Sequence, residues 1–184
     1  MHIRKGVDLF IDTAMRVLNR PDGRNAIFVW VGAGYDPDTD YAYSVYLQDQ
    51  LRRAGLTERV LVLSETPEIE IVYSLADALI LTSRLDPLPN VAIDAMSAGL
   101  PVLCFDRTTG IAETLSDAGL KDDCVAGYLD TVDLADKLLA LAASPETQAE
   151  ISTKVRNFAE IAFDFPAYVE RIERLALAAM DFHS

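Results

Sequence analysis

Residues 83–102, SRLDPLPNVAIDAMSAGLPV, decide how the rest of the chain is read. Asp86 and Asp94 stand eight positions apart. Between them Pro87-Leu88-Pro89 forms a turn, and Asn90, a residue type favoured at helix N-caps, follows it. This order predicts a short helix over 91–98 that stops at Gly99, with Pro101 just beyond. The apolar run Leu79-Ile80-Leu81 leads into the segment as a strand, and Val102-Leu103-Cys104-Phe105 leads out as another. Strand, polar loop, helix and strand in succession belong to an open α/β sheet, in which ligands sit in the crevice at the carboxyl ends of the strands. The loop that carries Asp86 lies at such an end and reads as a binding loop.

Outward from this segment the same alternation continues. Apolar Val7, Phe10, Ile11, Ala14, Met15 and Leu18 recur with helical spacing over 7–18, and Pro21-Asp22-Gly23 closes that helix as a turn. A buried strand is expected at 26–31, an amphipathic helix at 41–51 ending near Gly55, a strand at 60–63 and a short helix at 67–75. Beyond the quoted stretch come a helix at 111–118, a short strand at 124–126, and three helices at 131–143, 146–162 and 166–182. Strands that are near-continuously apolar and alternate with helices indicate a parallel sheet covered on both faces. The expected fold is therefore α/β, a Rossmann-like doubly wound parallel sheet in a single domain spanning 1–184.

The 184 residues are 51% hydrophobic, enough for one packed core. No apolar run approaches the roughly 20 residues of a membrane span, and residues 1–20 lack the charged-then-apolar pattern of a secretory leader. The formal charge of −13 disfavours nucleic acid and anionic lipid by repulsion. Cys104 and Cys124 lie in apolar surroundings without neighbouring ligands, which points to buried thiols in a reducing cytoplasm and to no metal. His2 and His183 sit at opposite ends of the chain, and neither has the setting of a catalytic histidine.

The quoted residues resemble the donor-site signature of retaining glycosyltransferases of the GT-B family 4, two acidic residues separated by seven positions, then Ala95-Met96, then Gly99, Pro101 and Val102. Other segments extend the resemblance over most of the chain. Lys5-Gly6 is similar to the family's turn at the start of the donor domain, Val29-Trp30-Val31-Gly32-Ala33-Gly34 to its second strand and Gly turn, and Gly110-Ile111-Ala112-Glu113 to its Gly-x-x-Glu segment. The resemblance implies the C-terminal half of a GT-B fold and a transferase that moves a sugar from a UDP- or GDP-linked donor to a glycan or lipid-linked acceptor. It places Asp94 at the ribose, Asp86 at the transferred sugar and Lys5 at the diphosphate, with Leu88, Pro89, Asn90 and Val91 lining the donor. No cofactor or metal is implied.

The chemistry of these residue types suits those roles. A carboxylate accepts both protons of a diol in charge-assisted bonds, a cation neutralises a departing diphosphate, and the N–H groups at the start of the 91–98 helix form an anion site. Each residue also has a plainer reading. Asp94 serves equally as a helix-dipole carboxylate, Asp86 as a turn aspartate before proline, and Lys5 as a solvated lysine. Gly32-Ala33-Gly34 and Thr109-Gly110 are ambiguous, since tight turns use glycine for backbone reasons alone. Two positions depart from the signature. Aspartate replaces glutamate at both acidic positions, and Pro87 stands where glycine is usual and so offers no N–H. The family's upstream arginine falls ahead of residue 1, and Arg4 is a poor substitute by position.

The chain opens on a loop and a helix, whereas a doubly wound domain opens on a strand. In the order 3-2-1-4-5-6, strand 1 is central, so the expected sheet lacks its first strand. The expectation is a fragment that binds a nucleotide-sugar donor, without its N-terminal acceptor domain and inactive alone. The unpaired edges beside the gap favour a homo-oligomer. A nucleotide-sugar epimerase of the same shape and a non-catalytic donor-binding subunit of a split transferase are the alternatives.

Overall fold

A computed structural model describes residues 2–181. A 3₁₀ turn, Ile3–Lys5, precedes α1 (Val7–Leu18), β1 (Phe28–Val31), α2 (Tyr43–Arg53), β2 (Val60–Leu63), α3 (Ile69–Leu75) and β3 (Leu79–Leu81). Then come α4 (Asn90–Ser97), β4 (Val102–Phe105), α5 (Ile111–Asp117), α6 (Lys121–Cys124), β5 (Val125–Ala126), α7 (Thr131–Ala143), α8 (Pro145–Ala162) and α9 (Phe165–Asp181). The fold is the expected Rossmann-like α/β arrangement, with every strand pair parallel.

The strands fall into a two-stranded sheet, β1-β2, and a three-stranded sheet, β3-β4-β5. In the doubly wound order these correspond to strands 2-3 and 4-5-6. Among the described residues no strand pairs with the second edge of β1 or with the second edge of β3, so the break falls where strand 1 was expected.

Each sheet has its own apolar cluster. Phe10 and Ile11 of α1 pack with Phe28, Leu47 and Val60 over β1-β2, and Phe10 meets the rings of Phe28 and Trp30 edge-on at 5.8 and 5.3 Å. Met96, Phe105, Ile111 and Leu115 fill the second cluster around β3-β4-β5. β4 is buried along its whole length, as its unbroken Val-Leu-Cys-Phe run requires of a parallel strand with both faces covered. Helix α7 belongs to both clusters. Its Ala135 and Leu139 pack with the first and its Leu134 and Leu141 with the second.

Several boundaries differ from expectation for local reasons. β1 starts at Phe28, whose N–H takes the Arg59 carbonyl, and this leaves Ile27 exposed ahead of it. Cys124 ends α6 because its N–H bonds the Leu120 carbonyl, so the last strand is one residue shorter at its start. Helix α8 begins at Pro145, with the Ser144 hydroxyl accepting from the Thr147 N–H. On α1, Met15 and Leu18 pack partly buried against the first cluster, Thr13 and Val17 are fully buried beside them, and the Thr13 hydroxyl is satisfied by the Leu9 carbonyl. Residue 182, expected to end α9, lies outside the described residues.

Gly99 ends α4 at φ +77°, with its own N–H on the Met96 carbonyl and that of Leu100 on the Ala95 carbonyl. Gly6 joins the 3₁₀ turn to α1 at φ +70°, and an added Cβ there would stand 1.9 Å from the Thr82 carbonyl oxygen. At Gly99 the added Cβ would meet only the guanidinium end of Arg156, at 2.4 Å, which can swing away. Both Gly→Ala changes are expected to pay the left-handed penalty of about 1–2 kcal/mol. Gly6→Ala is expected to lose a further ~1–3 kcal/mol by overpacking against backbone. Urea midpoints measure the difference, and equal losses at the two positions would contradict the close approach of residues 6 and 82.

Candidate functional site

The 3₁₀ turn and the loop after β3 meet face to face. The Lys5 Nζ lies 2.5 Å from Asp86 Oδ2, and the Arg4 Nη1 lies 3.4 Å from Asp86 Oδ1 and 2.9 Å from the Leu85 carbonyl. The Ser83 hydroxyl is 3.5 Å from Asp86 Oδ2. From the other side the Asp86 N–H bonds the Thr108 carbonyl, and the Gly110 N–H bonds that of Pro87. Asp86 is thus clamped between the chain's first turn and the loop after β4, with which it forms a bridge at Thr109. Only 7% of the residue is exposed. A carboxylate so placed needs compensating charge, and Lys5 and Arg4 provide it. Both cations keep about two-fifths of their side chains in solvent (41% and 42%), so the cluster has a buried anionic floor and an open cationic rim.

Arg84, two residues before Asp86, completes the junction. Its guanidinium forks onto Asp8 of α1 at 2.8 and 2.6 Å, its Nη1 also donates to the Ile3 carbonyl, and its backbone N–H bonds the Arg4 carbonyl. Tyr43, at the start of α2, donates its hydroxyl to Asp8 at 3.0 Å. Burial acts to raise the Asp8 pKa, but the bonds from Arg84 and Tyr43 outweigh it and hold the carboxyl below its ordinary value. Burial, with the Asp8 carboxylate beside it, pushes the Tyr43 hydroxyl up to about 12.

Asp94 stands elsewhere. It is exposed on α4 and borders a groove of about 390 Å³ shared with Ile69, Glu70 and Tyr73 of α3. Burial and then the Asp94 charge raise the Tyr73 pKa. Among the described residues no hydrogen bond or ion pair joins Asp94 to Lys5 or Asp86, so direct contact is confined to Lys5 and Asp86. A larger groove, about 960 Å³ between α2 and β2, includes none of the candidate residues.

The expected cap at Asn90 is corrected. Helix α4 begins at Asn90 itself, because the extended Pro89 carbonyl already accepts from Ala92, and no side chain caps the first turn. Pro89 is buried while Leu88, Asn90 and Val91 are exposed, and the Ala92 and Ile93 N–H groups at the head of α4 are taken by the Pro89 carbonyl. Cys104 and Cys124 are free and buried, and burial, with nearby negative groups, pushes both thiols up to about 12. Neither is a nucleophile at neutral pH. Among the described residues no group of three or more His, Cys, Asp or Glu is placed to hold a metal ion. No helix among them is long and apolar enough to cross a membrane.

Asp8, Tyr43 and Arg84 were not singled out from sequence, and Arg4 was set aside. The available signals were an acid in the first turn of α1 and an arginine inside the signature loop. Neither reveals its partner, since Asp8 and Arg84 are 76 residues apart.

The cluster sits at the carboxyl ends of the strands of a Rossmann-like α/β domain. Residues 1–144 match the family described as glycosyl transferases group 1, and the chain belongs to that family. It is 27% identical over 169 residues to the lipopolysaccharide core biosynthesis mannosyltransferase LpsB of Rhizobium meliloti strain 1021, covering 85% of this chain and 44% of that protein. The chain spans less than half the length of the curated relatives it matches. Its fold, that of a GT-B glycosyltransferase domain, is shared with Anabaena Alr3699/HepE, solved in complex with UDP (TM-score 0.82, 21% identity, 96% of this chain and 46% of that one). It is also shared with the C-terminal domain of the group 1 family protein LpcC from Francisella tularensis (TM-score 0.73, 19% identity, 89% and 82%).

The Asp8–Arg84 pair generates a pH dependence. A carboxyl whose pKa is depressed on folding stabilises the fold fully above its ordinary value of 3.8, and that contribution is lost as pH falls through the lower folded-state value. Asp8→Asn is expected to cost about 1–3 kcal/mol at neutral pH, the range for a hydrogen-bonded charged group. The urea midpoints of the variant and the parent should then draw together in acid. A constant separation at every pH would show that the Asp8 charge contributes nothing.

Proposed function

We propose that the chain is the donor-binding, C-terminal half of a retaining glycosyltransferase, which takes a nucleotide diphosphate sugar, UDP- or GDP-linked, and passes the sugar to a glycan or lipid-linked hydroxyl. The observation that carries this reading is the buried Asp86 carboxylate held by Lys5 and Arg4 at the carboxyl end of β3. Membership of the family and the likeness to a C-terminal domain that this chain nearly spans support it.

In this reading the Lys5 ammonium meets the diphosphate and stabilises the charge that develops as the sugar leaves. Asp86 accepts hydroxyl protons of the transferred sugar, and Asp94 those of the ribose. Leu88, Pro89, Asn90 and Val91 carry the donor across the head of α4. An N-terminal acceptor domain completes the cleft, and without it the 184 residues bind donor and do not turn over. The domain boundary is then the whole span 1–184.

Calorimetric titration of the chain with UDP and GDP tests the donor assignment. One of the two should bind, and Asp94→Ala should weaken it by about 1–3 kcal/mol, the range for hydrogen bonds to a charged group. Equal affinity in variant and parent would refute the ribose role.

The second edges of β1 and β3 remain unpaired among the described residues, and Val29 of β1 and Ile27 just ahead of it are exposed. Such edges recruit strands from other chains. The chain alone should associate through them, and light scattering at low micromolar concentration should return more than the monomer mass. A strictly monomeric species would contradict this.

A further inference from the structure

We propose that the Asp8–Arg84 pair, with Tyr43 on Asp8, is a positioning unit for the donor site: it locks the 3–5 turn against the 82–86 loop and so sets where the Lys5 ammonium stands relative to the Asp86 carboxylate. The inference rests on the donor-site reading above and adds three residues to it, none of which touches the donor.

Lys5 reaches Asp86 across a junction between two segments 81 residues apart in sequence. A lysine stem has four rotatable bonds, so where its charge stands depends on how firmly its backbone is held. Arg84 does that holding. Through one side chain and one N–H it binds Ile3, Arg4 and Asp8, the residues on both sides of Lys5. The two-pronged bond to Asp8 fixes orientation as well as distance. Arginine alone has the planar fork for this.

Asp8 is held in turn. Tyr43 donates to the oxygen that Arg84 Nη1 already engages, and Gln50 Nε2 donates to the Asp8 backbone carbonyl at 3.4 Å. Both come from α2, so the unit ties α1 and α2 of the first half to the β3 loop of the second. The pair lies half-buried, with 30% of the Arg84 and 17% of the Asp8 side chain exposed, where solvent screens it less than a surface pair. With Asp8 ionised and Tyr43 protonated across the neutral range, the unit stays in one charge state and acts as a fixed brace.

A brace of this kind differs from an ordinary structural ion pair in acting through Lys5. The test is a double-mutant cycle on the 184-residue chain, with UDP and GDP affinities measured by calorimetry and the fold checked by circular dichroism. Arg84→Met is expected to weaken the nucleotide that binds by about tenfold, within the range for residues of one network. Arg84→Lys should recover part of that loss, because it keeps the charge and not the fork. In a Lys5→Ala background, Arg84→Met should have no further effect. Tyr43→Phe removes a single hydrogen bond and serves if Arg84→Met does not fold; it should cost a few-fold in affinity, again only while Lys5 is present. Parental affinity in both Arg84→Met and Tyr43→Phe overturns the proposal, as does a loss at residue 84 that multiplies in full with the loss at residue 5. If the unaltered chain binds neither nucleotide, the donor-site reading falls and this inference with it; binding by the parent with indifferent variants removes the inference alone.

Discussion

The Thr82 carbonyl comes so close to the α-carbon of Gly6 that no side chain fits between them, and much of the candidate site depends on this contact. It brings the turn before α1 onto the end of β3, although the two are joined by neither sheet nor short loop. Once the backbones touch, the Thr82 hydroxyl donates to the Gly6 carbonyl at 2.9 Å and the Arg84 N–H to the Arg4 carbonyl at 2.7 Å. The side-chain pairs Lys5–Asp86 and Arg84–Asp8 are consequences of that docking. A left-handed glycine satisfies two demands at once here, the sharp turn into α1 and the absence of a Cβ.

The same junction bears on how the two halves cohere. A continuous sheet would join them by a ladder of backbone hydrogen bonds, but the ladder is interrupted between β1 and β3. Two other devices span the break. Helix α7 lies across it and feeds side chains into both apolar clusters, and the polar network of residues 3–8 with 82–86 crosses it at the carboxyl ends of the strands. The helix supplies non-directional burial, which tolerates sliding, whereas the network supplies oriented bonds. Placement at the site therefore falls to the network, and cohesion of the domain to α7.

The fold was legible because its signals are local. The strands at 60–63, 79–81 and 102–105 and the helices at 7–18 and 131–143 stand where apolar periodicity put them, and the gap in the sheet follows from the position of the first helix relative to the doubly wound order. Boundaries slipped where a single hydrogen bond decided them. At Asn90 the favoured capping residue lost its place to the extended carbonyl of Pro89. At Cys124 the first residue of the run expected as a strand closes a helical turn, and the strand keeps Val125 and Ala126. The site was legible as residue types and, for Lys5 with Asp86, as ends of strands that the doubly wound order brings to one crevice; its remaining partners were not. Asp86 and Asp94 were named from the signature and Lys5 from the Lys-Gly turn, but that Arg4 joins Lys5 on Asp86 while Asp94 borders a groove with α3 depends on long-range packing that no spacing rule contains.

The buried carboxylate raises a question of charge balance that bears on how a donor would enter. Asp86 is surrounded by the Lys5 ammonium, the Arg4 guanidinium and the Ser83 hydroxyl. An ionised carboxylate accepts hydrogen bonds only, so every group that leaves it must be replaced by another donor or the anion is left buried and short of partners. In the donor-site reading a diphosphate draws Lys5 toward itself, and the sugar that arrives with it brings hydroxyl donors to the oxygen that Lys5 releases. The exchange conserves hydrogen bonds on Asp86 while moving the cation to where the leaving group's charge develops. Diphosphate alone would take the cation and supply no hydroxyl in return. In that reading Lys5 is shared between two anions, and the sugar makes the second arrangement favourable.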